Sequence, residues 1–253
     1  MGTKLWQNFL KSSKYRNFIK DKIIDEYTKL NCNHLVEIWP WKWVITKYLV
    51  NEFSDISLFE KDTSLISYLQ EILVHENQKI YNQDILLSNL SNFDENKTFI
   101  FGNIPYYITS PIIRKFFVEN NFVGWILLIQ KEVWEKISTN SSKKSYLRWL
   151  VNFKNNVYYL KKVPSNVFSP KPKIDSCLIK IEYDLKKNKD INYEKFLEFI
   201  NLYSSFSRKT LWKSTKILEK KKINKFIIPD HVLQKRLENL TREELKVIIN
   251  NQY

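Results

Sequence analysis

The stretch KTFIFGNIPYYITSPIIRKFF, residues 97–117, predicts a strand, a turn and a helix in succession. Residues 97–104 form an apolar run that predicts a strand. Residues 110–120 predict a helix with Pro111 in its first turn, where the missing N–H of proline does no harm. The polar turn that begins at Asn103 therefore lies at the carboxyl end of a strand.

The same alternation of strand and helix continues on both sides of this stretch. Strands are also predicted at 34–38, 56–62, 79–85, 124–130, 157–163 and 175–184, and helices at 15–30, 63–73 and 131–138. A chain that alternates in this way is typical of an α/β fold with a mostly parallel sheet and helices on both faces.

Near residue 184 the pattern changes to helices alone. The charged stretch LKKNKD is followed by helical patterns at 193–206, 208–222 and 241–250. Thr241 and Glu244 have the spacing of a capping box at the start of the last helix. We therefore predict two domains, an α/β domain at 1–184 and a small all-helical domain at 190–253.

Charge indicates the class of partner. The 253 residues include 41 Lys and Arg against 27 Asp and Glu, for a net charge of +14. Such an excess favours a polyanion, either nucleic acid or an anionic membrane surface, and nucleic acid is the preferred interpretation. The sequence contains no run of 18 apolar residues, so no membrane span is expected. The first residues lack the apolar segment of a signal peptide. We expect a cytoplasmic protein.

Cysteine and histidine give no sign of a metal centre or a disulfide framework. Cys32 and Cys177 are far apart in the sequence, as expected for reduced thiols in a cytosol. The three histidines, His34, His75 and His231, have no metal-ligand spacing to each other or to the cysteines. We expect no metal.

The turn after the fourth strand carries the sharpest chemical motif. Its residues Asn103, Pro105 and Tyr106 suit methylation of an exocyclic amine on a planar base. The Asn103 side-chain oxygen and the Pro105 carbonyl can accept the two amine protons, while Tyr106 stacks on the base. The alternative is a strand-to-helix turn that needs Asn and Pro for its geometry alone.

Nine segments in order resemble those of a known family, the ribosomal RNA adenine N,N-dimethyltransferases of the small-subunit type linked to kasugamycin resistance. They are LWQNFLKSSKYRNFI, VEIWPWKWVIT, LFEKD, NQDIL, FGNIPYYITSPII, LLIQKEV, VPSNVFSPKPKIDSCLIKIE and SRKTL, with RLENLTREEL after them. The resemblance covers nearly the whole chain. It implies a Rossmann-like domain dependent on S-adenosylmethionine, followed by a helical RNA-binding domain.

The resemblance also implies roles for individual residues. The cofactor-binding residues would be Asn8, Leu10, Trp39, Glu60, Asp84 and Asn103, with Ile85 flanking the cofactor. Glu60 would hold the ribose hydroxyls and Asp84 the adenine amine. The catalytic residues would be Asn103, Pro105, Tyr106 and Phe168, with Tyr106 and Phe168 on the two faces of the target adenine. The target would be adenines in a hairpin loop near the 3′ end of the small-subunit RNA.

The chain departs from the family at four positions that are typically glycine. Trp6, Trp39, Trp41 and Trp43 stand there, although a left-handed residue other than glycine costs about 1–2 kcal/mol. In one interpretation the chain is a degenerate homologue that binds RNA in ribosome assembly and no longer binds the cofactor. In the other, which we favour, UGA codons for glycine were translated as tryptophan.

Under that second interpretation the three glycines and eight tryptophans would together be eleven glycines. The remaining tryptophans, at 125, 134, 149 and 212, would then be loop or turn glycines. Degenerate loops drift to many residue types, whereas these four family positions all hold one type.

Partners follow from the same resemblance. We expect the Lys-rich stretches KKNK and KILEKKKINK to contact phosphates of ribosomal RNA. We expect a monomer. The large-subunit methyltransferase that confers macrolide resistance stays an alternative because it shares the GNIPY motif.

Overall fold

The structure is a computed structural model that describes residues 9–40, 44–119, 122–143, 145–188, 191–223 and 226–251. In this part of the chain the strands are β1 (Phe9–Leu10), β2 (His34–Ile38), β3 (Ile56–Glu60), β4 (Lys79–Asn82), β5 (Thr98–Asn103), β6 (Gly124–Gln130), β7 (Asn155–Val163), β8 (Phe168–Ser169) and β9 (Ser176–Tyr183).

Helices alternate with these strands. In the same described residues the α-helices are α1 (Ser13–Lys29), α2 (Thr46–Glu52), α3 (Ile66–Ile72), α4 (Thr109–Glu119), α5 (Lys131–Ile137), α6 (Leu147–Asn152), α7 (Tyr193–Ser204), α8 (Leu211–Lys220) and α9 (Arg242–Asn250). The capping box predicted at the start of α9 is confirmed, because Thr241 and Glu244 bond each other's backbone.

Seven strands form one sheet in the order β4-β3-β2-β5-β6-β9-β7, and β1 pairs with β8 separately. The pairs from β4 to β6 are all parallel, while β9 is antiparallel to β6. Counted from β2, the five parallel strands follow the Rossmann order 3-2-1-4-5. The predicted α/β fold with a mostly parallel sheet is confirmed. Because the strand order reverses between β2 and β5, ligands are expected at the carboxyl ends of these two strands.

One face of the sheet packs on α1 and α2. Leu35 of β2, Leu58 of β3 and Phe101 of β5 belong to one buried cluster with Ile19 of α1 and Leu49 of α2. These positions alternate with residues on the other face, as the period of a strand requires. The apolar runs of the sequence are thus explained by helices on both sides.

Gly102 is required by close packing at the end of β5. A Cβ at this position would lie 2.7 Å from Cγ1 of Ile38, its partner in β2. A larger residue fits only if the Ile38 side chain shifts. The glycine therefore leaves room for the Ile38 side chain directly before Asn103.

The chain forms two compact units, residues 1–134 with 156–183, and residues 135–155 with 184–253. The second unit thus includes residues 135–155, which the sequence analysis placed in the first domain. The reason lies in α6: the Trp149 indole N–H donates to the Leu237 carbonyl at 2.9 Å, and the Arg148 guanidinium donates to the Glu238 carbonyl at 2.8 Å. These long-range bonds leave no periodic signal in the sequence.

The prediction that Trp125, Trp134, Trp149 and Trp212 occupy loops or turns is wrong. They lie in β6, α5, α6 and α8 respectively. Trp125 is buried among Phe116, Phe117 and Phe122, with ring centroids 4.8–6.0 Å apart. Trp125 and Trp149 are buried core residues, whereas Trp134 is partly buried and Trp212 is 44% exposed.

Within the described residues, no helix combines the length and the apolar character needed to cross a bilayer.

Candidate functional site

The predicted site residues come together at the carboxyl ends of the parallel strands. Trp39 follows β2, Glu60 ends β3, Asp84 follows β4 and Asn103 ends β5. The parallel register aligns these ends, with Ile38 opposite Phe59 and Gly102, and Glu60 opposite Asn82. The site therefore lies at the point where the strand order reverses.

Glu37 is a buried acid below the end of β2. It is 1% exposed, and burial raises the pKa of its carboxyl to about 8. The Thr46 hydroxyl lies 3.1 Å from Glu37 Oε1 and 3.0 Å from the Pro40 carbonyl oxygen. A hydroxyl has one proton, so both contacts are satisfied when Thr46 donates to Pro40 and a protonated Glu37 donates to Thr46.

Trp39 directly follows β2 with a left-handed backbone. Its φ is 67°, its amide donates to the Phe59 carbonyl at 3.0 Å, and its side chain is 5% exposed. Glycine adopts this backbone without strain, whereas a side chain with a Cβ does so at a cost of about 1–2 kcal/mol. The local geometry is therefore that of a glycine position. Trp6, Trp41 and Trp43 lie outside the described residues.

Glu60 closes the end of β3. Its carboxylate accepts a hydrogen bond from the Asp62 amide at 2.8 Å, and its own carbonyl accepts one from the Asn82 side chain at 3.0 Å. These bonds tie the end of β3 to the turn after it and to β4. They hold an acid at the place where the sequence predicts a partner for ribose hydroxyls.

Asp84 is held by two donors after β4. Burial opposes its ionisation, but the Lys61 ammonium at 2.8 Å and the Leu86 amide at 3.0 Å outweigh burial and lower its pKa. The carboxylate is therefore ionised near neutral pH and can accept from an amine. The neighbouring Ile85 is buried.

The turn after β5 presents the residues predicted for catalysis. Asn103 ends the strand half-buried, and Tyr106 begins a single 3-10 turn, Tyr106–Ile108. The carbonyl of Pro105 already accepts from the Ile108 amide at 3.1 Å and from the Thr109 hydroxyl at 3.3 Å. This engaged carbonyl was not foreseen. The side chain of Tyr106 lies outside the described part of the structure.

Leu10 and Phe168 meet in the small antiparallel pair of β1 and β8. The two residues are register partners, and both belong to the buried cluster on the α1 side of the sheet. Phe168 is 4% exposed. A stacking role for Phe168 stays a prediction, as does a cofactor contact of Leu10. Asn8 lies outside the described residues.

Sequence analysis overlooked two residues at this edge. Glu37 and Lys61 carry charge or protons next to the predicted site, and neither was proposed. Glu37 had a visible signal, since it is the one acid within the otherwise apolar segment LVEI. Lys61 had none, because its ion pair with Asp84 joins residues 23 positions apart.

The carboxyl ends of the strands thus hold acids at the ends of β3 and β4, an amide and a carbonyl acceptor at the end of β5, and a left-handed backbone after β2. Acids at these positions suit the hydroxyl and amine groups of a nucleoside, as in dinucleotide-binding folds. The acceptors after β5 suit an amine presented from the other side. Binding of a nucleoside cofactor beside an amine substrate is what this arrangement supports.

Comparisons with known proteins agree with this geometry. A family model described as Ribosomal RNA adenine dimethylase matches residues 2–251. The chain is 34% identical to Ribosomal RNA small subunit methyltransferase A of Mycoplasmopsis pulmonis (strain UAB CTIP), over 94% of this chain and 93% of that protein. It is 33% identical to the protein of that name from Francisella tularensis, over 94% and 92%.

Two solved structures share the fold. A dimethyladenosine transferase from Plasmodium falciparum superposes with a TM-score of 0.73, at 23% identity, over 94% of this chain and 95% of that one. The 23S rRNA methyltransferase ErmE superposes with a TM-score of 0.65, at 19% identity, over 94% and 96%. The predicted Rossmann-like methyltransferase fold is confirmed.

Proposed function

The chain belongs to the ribosomal RNA adenine dimethylase family, and from this premise we propose that it dimethylates adenines of small-subunit ribosomal RNA with S-adenosylmethionine as methyl donor. The observation that carries the proposal is the match to small-subunit methyltransferases along 94% of the chain. The motif after β5 supplies the chemistry that such a reaction needs. The target is an adenine amine in the 3′-terminal hairpin loop.

The described residues fit the cofactor at two strand ends. Glu60 would hold the ribose hydroxyls, and the ionised Asp84 would accept from the adenine amine. Leu10 and Ile85 would complete the wall, and Asn8, which lies outside the described residues, is also expected to contact the cofactor. The exception is Trp39, whose buried indole occupies a position where the left-handed backbone suits glycine. When bound, S-adenosylmethionine supplies an electrophilic methyl group on a sulfonium.

The residues after β5 orient and activate the target amine. An adenine amine is a weak nucleophile because its lone pair is delocalised into the ring. Acceptance of its two protons by the Asn103 side-chain oxygen and the Pro105 carbonyl returns electron density to nitrogen. As the N–C bond forms, the methyl group's bond to the donor sulfur would break and one amine proton would leave to water, so no strong general base is needed.

The Pro105 carbonyl must free one lone pair for this role. Of its two donors, the Ile108 amide is fixed by the 3-10 turn, whereas the Thr109 hydroxyl can rotate about its Cα–Cβ bond. We infer that Thr109 holds the carbonyl until the adenine amine replaces it. Tyr106 and Phe168 would hold the ring from its two faces.

The second compact unit would contribute RNA affinity. Lys213, Lys220, Lys221 and Lys222 are exposed on α8 and directly after it. By contrast, Lys187 of the stretch KKNK donates its ammonium to the Asn155 carbonyl at 2.7 Å, so it serves the fold rather than phosphates. The RNA-binding role of the predicted domain 190–253 is part of this proposal.

We also propose that the protein acts as a monomer in the cytoplasm, where ribosomal subunits are assembled. Both cysteines are free thiols, which accords with a reducing compartment.

Transfer of labelled methyl groups to unmodified ribosomal subunits tests the function. We expect labelled N6,N6-dimethyladenosine in small subunits, none in large subunits, and loss of at least about 100-fold in rate for Asn103→Ala, which removes the oriented acceptor. Lys213→Gln serves as the matched control, with weaker binding at moderate salt and an unchanged rate at saturating subunits. Label in large subunits would assign the chain to the macrolide-resistance type instead.

A second candidate, a cofactor-free RNA-binding assembly factor, is favoured by the buried indole of Trp39. It predicts that the chain with Trp39 binds small subunits without methyl transfer. Methyl transfer by that chain would exclude the candidate, whereas methyl transfer by the Trp39→Gly variant alone would assign the loss of activity to the indole.

A further inference from the structure

We propose that a pocket at the amino ends of the parallel strands binds a nucleobase that carries an amino group. This site is separate from the one at the carboxyl ends of the strands. This amino-edge pocket has a volume of about 260 Å3, and its lining includes His34, Asp55, Ser57, Phe93, Asp94 and Thr98. The volume suits one ring system, since drug-sized ligands occupy about 300–1,000 Å3.

The amino-edge pocket lies where the parallel strands begin. His34 opens β2, Thr98 opens β5 directly opposite it, and Ser57 lies near the start of β3. Asn103 and Glu60 stand at the other ends of these strands. A ligand in the amino-edge pocket therefore contacts none of the residues assigned to the cofactor or the target adenine.

Three buried polar atoms of this pocket have no hydrogen-bond partner in the described part of the chain. They are His34 Nε2, Ser57 Oγ and Thr98 Oγ1, and both hydroxyl residues are 1% exposed. The strand register places all three on one face of the sheet, the face opposite the α1–α2 core. Buried polar groups are normally paired, so this cluster indicates a polar ligand.

The Asp55 carboxylate sets what His34 offers to that ligand. Its oxygen lies 2.6 Å from His34 Nδ1, and a carboxylate only accepts, so Nδ1 carries the proton. In the neutral tautomer that this bond selects, Nε2 presents an acceptor lone pair. Phe93 stacks on the imidazole with centroids 5.0 Å apart and keeps the ring in this orientation.

The balance of donors and acceptors selects the ligand class. Nε2 of His34 and the carboxylates of Asp55 and Asp94 accept hydrogen bonds from N–H donors. Lys79 also lines the pocket, but the two carboxylates outnumber this one ammonium, and the net negative charge disfavours anions. The Ser57 and Thr98 hydroxyls each have a proton that needs an acceptor, and an alkylammonium offers none. A flat ring with both an amino group and ring acceptors, as in cytosine, adenine or guanine, satisfies both sets beside the Phe93 ring.

Imidazole NMR of the full chain tests this inference, because the chain has only three histidines. We expect cytidine to shift the His34 Nε2 resonance with a Kd below about 1 mM, while His75 and His231 stay unchanged. Uridine, which lacks the amino group, should bind at least about tenfold more weakly. Ser57→Ala with Thr98→Val should weaken cytidine binding at least about tenfold, at unchanged methyl transfer.

An oligocytidine arm distinguishes two sources of the base. Binding at least about tenfold tighter than cytidine assigns the pocket to an unpaired base of RNA, and equal or weaker binding assigns it to a free nucleoside. Both results support the pocket as a nucleobase site. An unmoved His34 resonance at any concentration, or equal affinity for uridine, would overturn the inference, and neither depends on methyl transfer.

Discussion

Trp39 and Trp149 are both buried, at 5% and 3% exposure, but their surroundings differ in kind. Trp149 lies in α6 with a helical backbone, and its indole N–H donates to the Leu237 carbonyl. Trp39 follows β2 with a φ of 67°, at the carboxyl ends of the strands, where a ligand is expected. Burial alone therefore does not show that a residue suits its position. Backbone conformation and hydrogen bonding separate an indole that belongs to the fold from one that occupies a glycine position.

Replacement of Trp149 should have the largest effect. Trp149→Gly is expected to lower the free energy of unfolding by about 4–6 kcal/mol, from the lost indole and from glycine in a helix. Denaturant unfolding measures this loss. Trp149→Phe is the matched control, and it should lose less because most of the volume is kept. An unchanged unfolding midpoint for Trp149→Gly would mean that the Trp149 indole does not stabilise the fold.

Glu37, next to Trp39 in the chain, should make stability depend on pH. Its pKa is raised from 4.5 to about 8, so the folded protein keeps a proton that the unfolded chain loses above pH 4.5. Stability is therefore full below pH 4.5 and falls as the pH rises through 8, by roughly 3–5 kcal/mol. Glu37→Gln should remove that decline in unfolding measured from pH 5 to 9. The same decline in the variant would assign it to other groups.

Trp39→Gly should strengthen binding of the cofactor. Removal of the indole and of the left-handed strain is expected to lower the Kd for S-adenosylmethionine by at least about 100-fold, equal to about 2.8 kcal/mol. Calorimetric titration measures it. Trp39→Ala is the matched control, because it removes the indole but keeps a Cβ at positive φ, and it should gain less. Equal affinity of the parent and both variants would contradict the glycine assignment.

Gly102→Ala should moderately destabilise the protein, whereas Trp39→Gly is expected to improve cofactor binding. Its Cβ would meet Ile38 Cγ1 at 2.7 Å, so the free energy of unfolding should fall by about 1–3 kcal/mol. Thermal unfolding measures it, with Asn201→Ala at an exposed position of α7 as the control. Gly102 is needed because a side chain would clash, whereas position 39 favours glycine because its φ is positive. An unchanged free energy of unfolding for Gly102→Ala would contradict the clash.

The smallest effect is expected at the Lys61–Asp84 ion pair. Lys61→Gln should change the free energy of unfolding by less than about 1 kcal/mol, because the ammonium is largely exposed. It should also raise the pKa of Asp84, since a donor is lost. Carbon-detected NMR titration of the carboxyl measures this, and an unchanged pKa would mean that the Leu86 amide alone holds the charge.

The strands and most helices were predictable because apolar periodicity and strand–helix alternation are local signals. β2 occupies 34–38 and β6 occupies 124–130, as predicted from their apolar runs. The short helices α2 and α6 were not predicted, since α2 follows the Trp-rich turn directly and α6 depends on bonds to carbonyls 88–90 residues away. The grouping of residues 135–155 with the second unit has the same cause.

The placement of the candidate site residues was predictable where a family motif marks them. Glu60, Asp84 and Asn103 come together at one edge, as their place at strand ends predicts. What the sequence could not reveal is how each side chain is engaged. The two donors on the Pro105 carbonyl and the two contacts of Thr46 arise from turn geometry, which no residue pattern encodes.

Peptide mass spectrometry of residues 34–47, on the polypeptide isolated from its native cells, tests the central claim most directly when the same cells' small-subunit RNA is analysed for dimethyladenosine. The account predicts glycine at position 39 together with dimethylated adenines that disappear when this gene is disrupted. Tryptophan at position 39 in a protein on which those dimethylated adenines depend would contradict it.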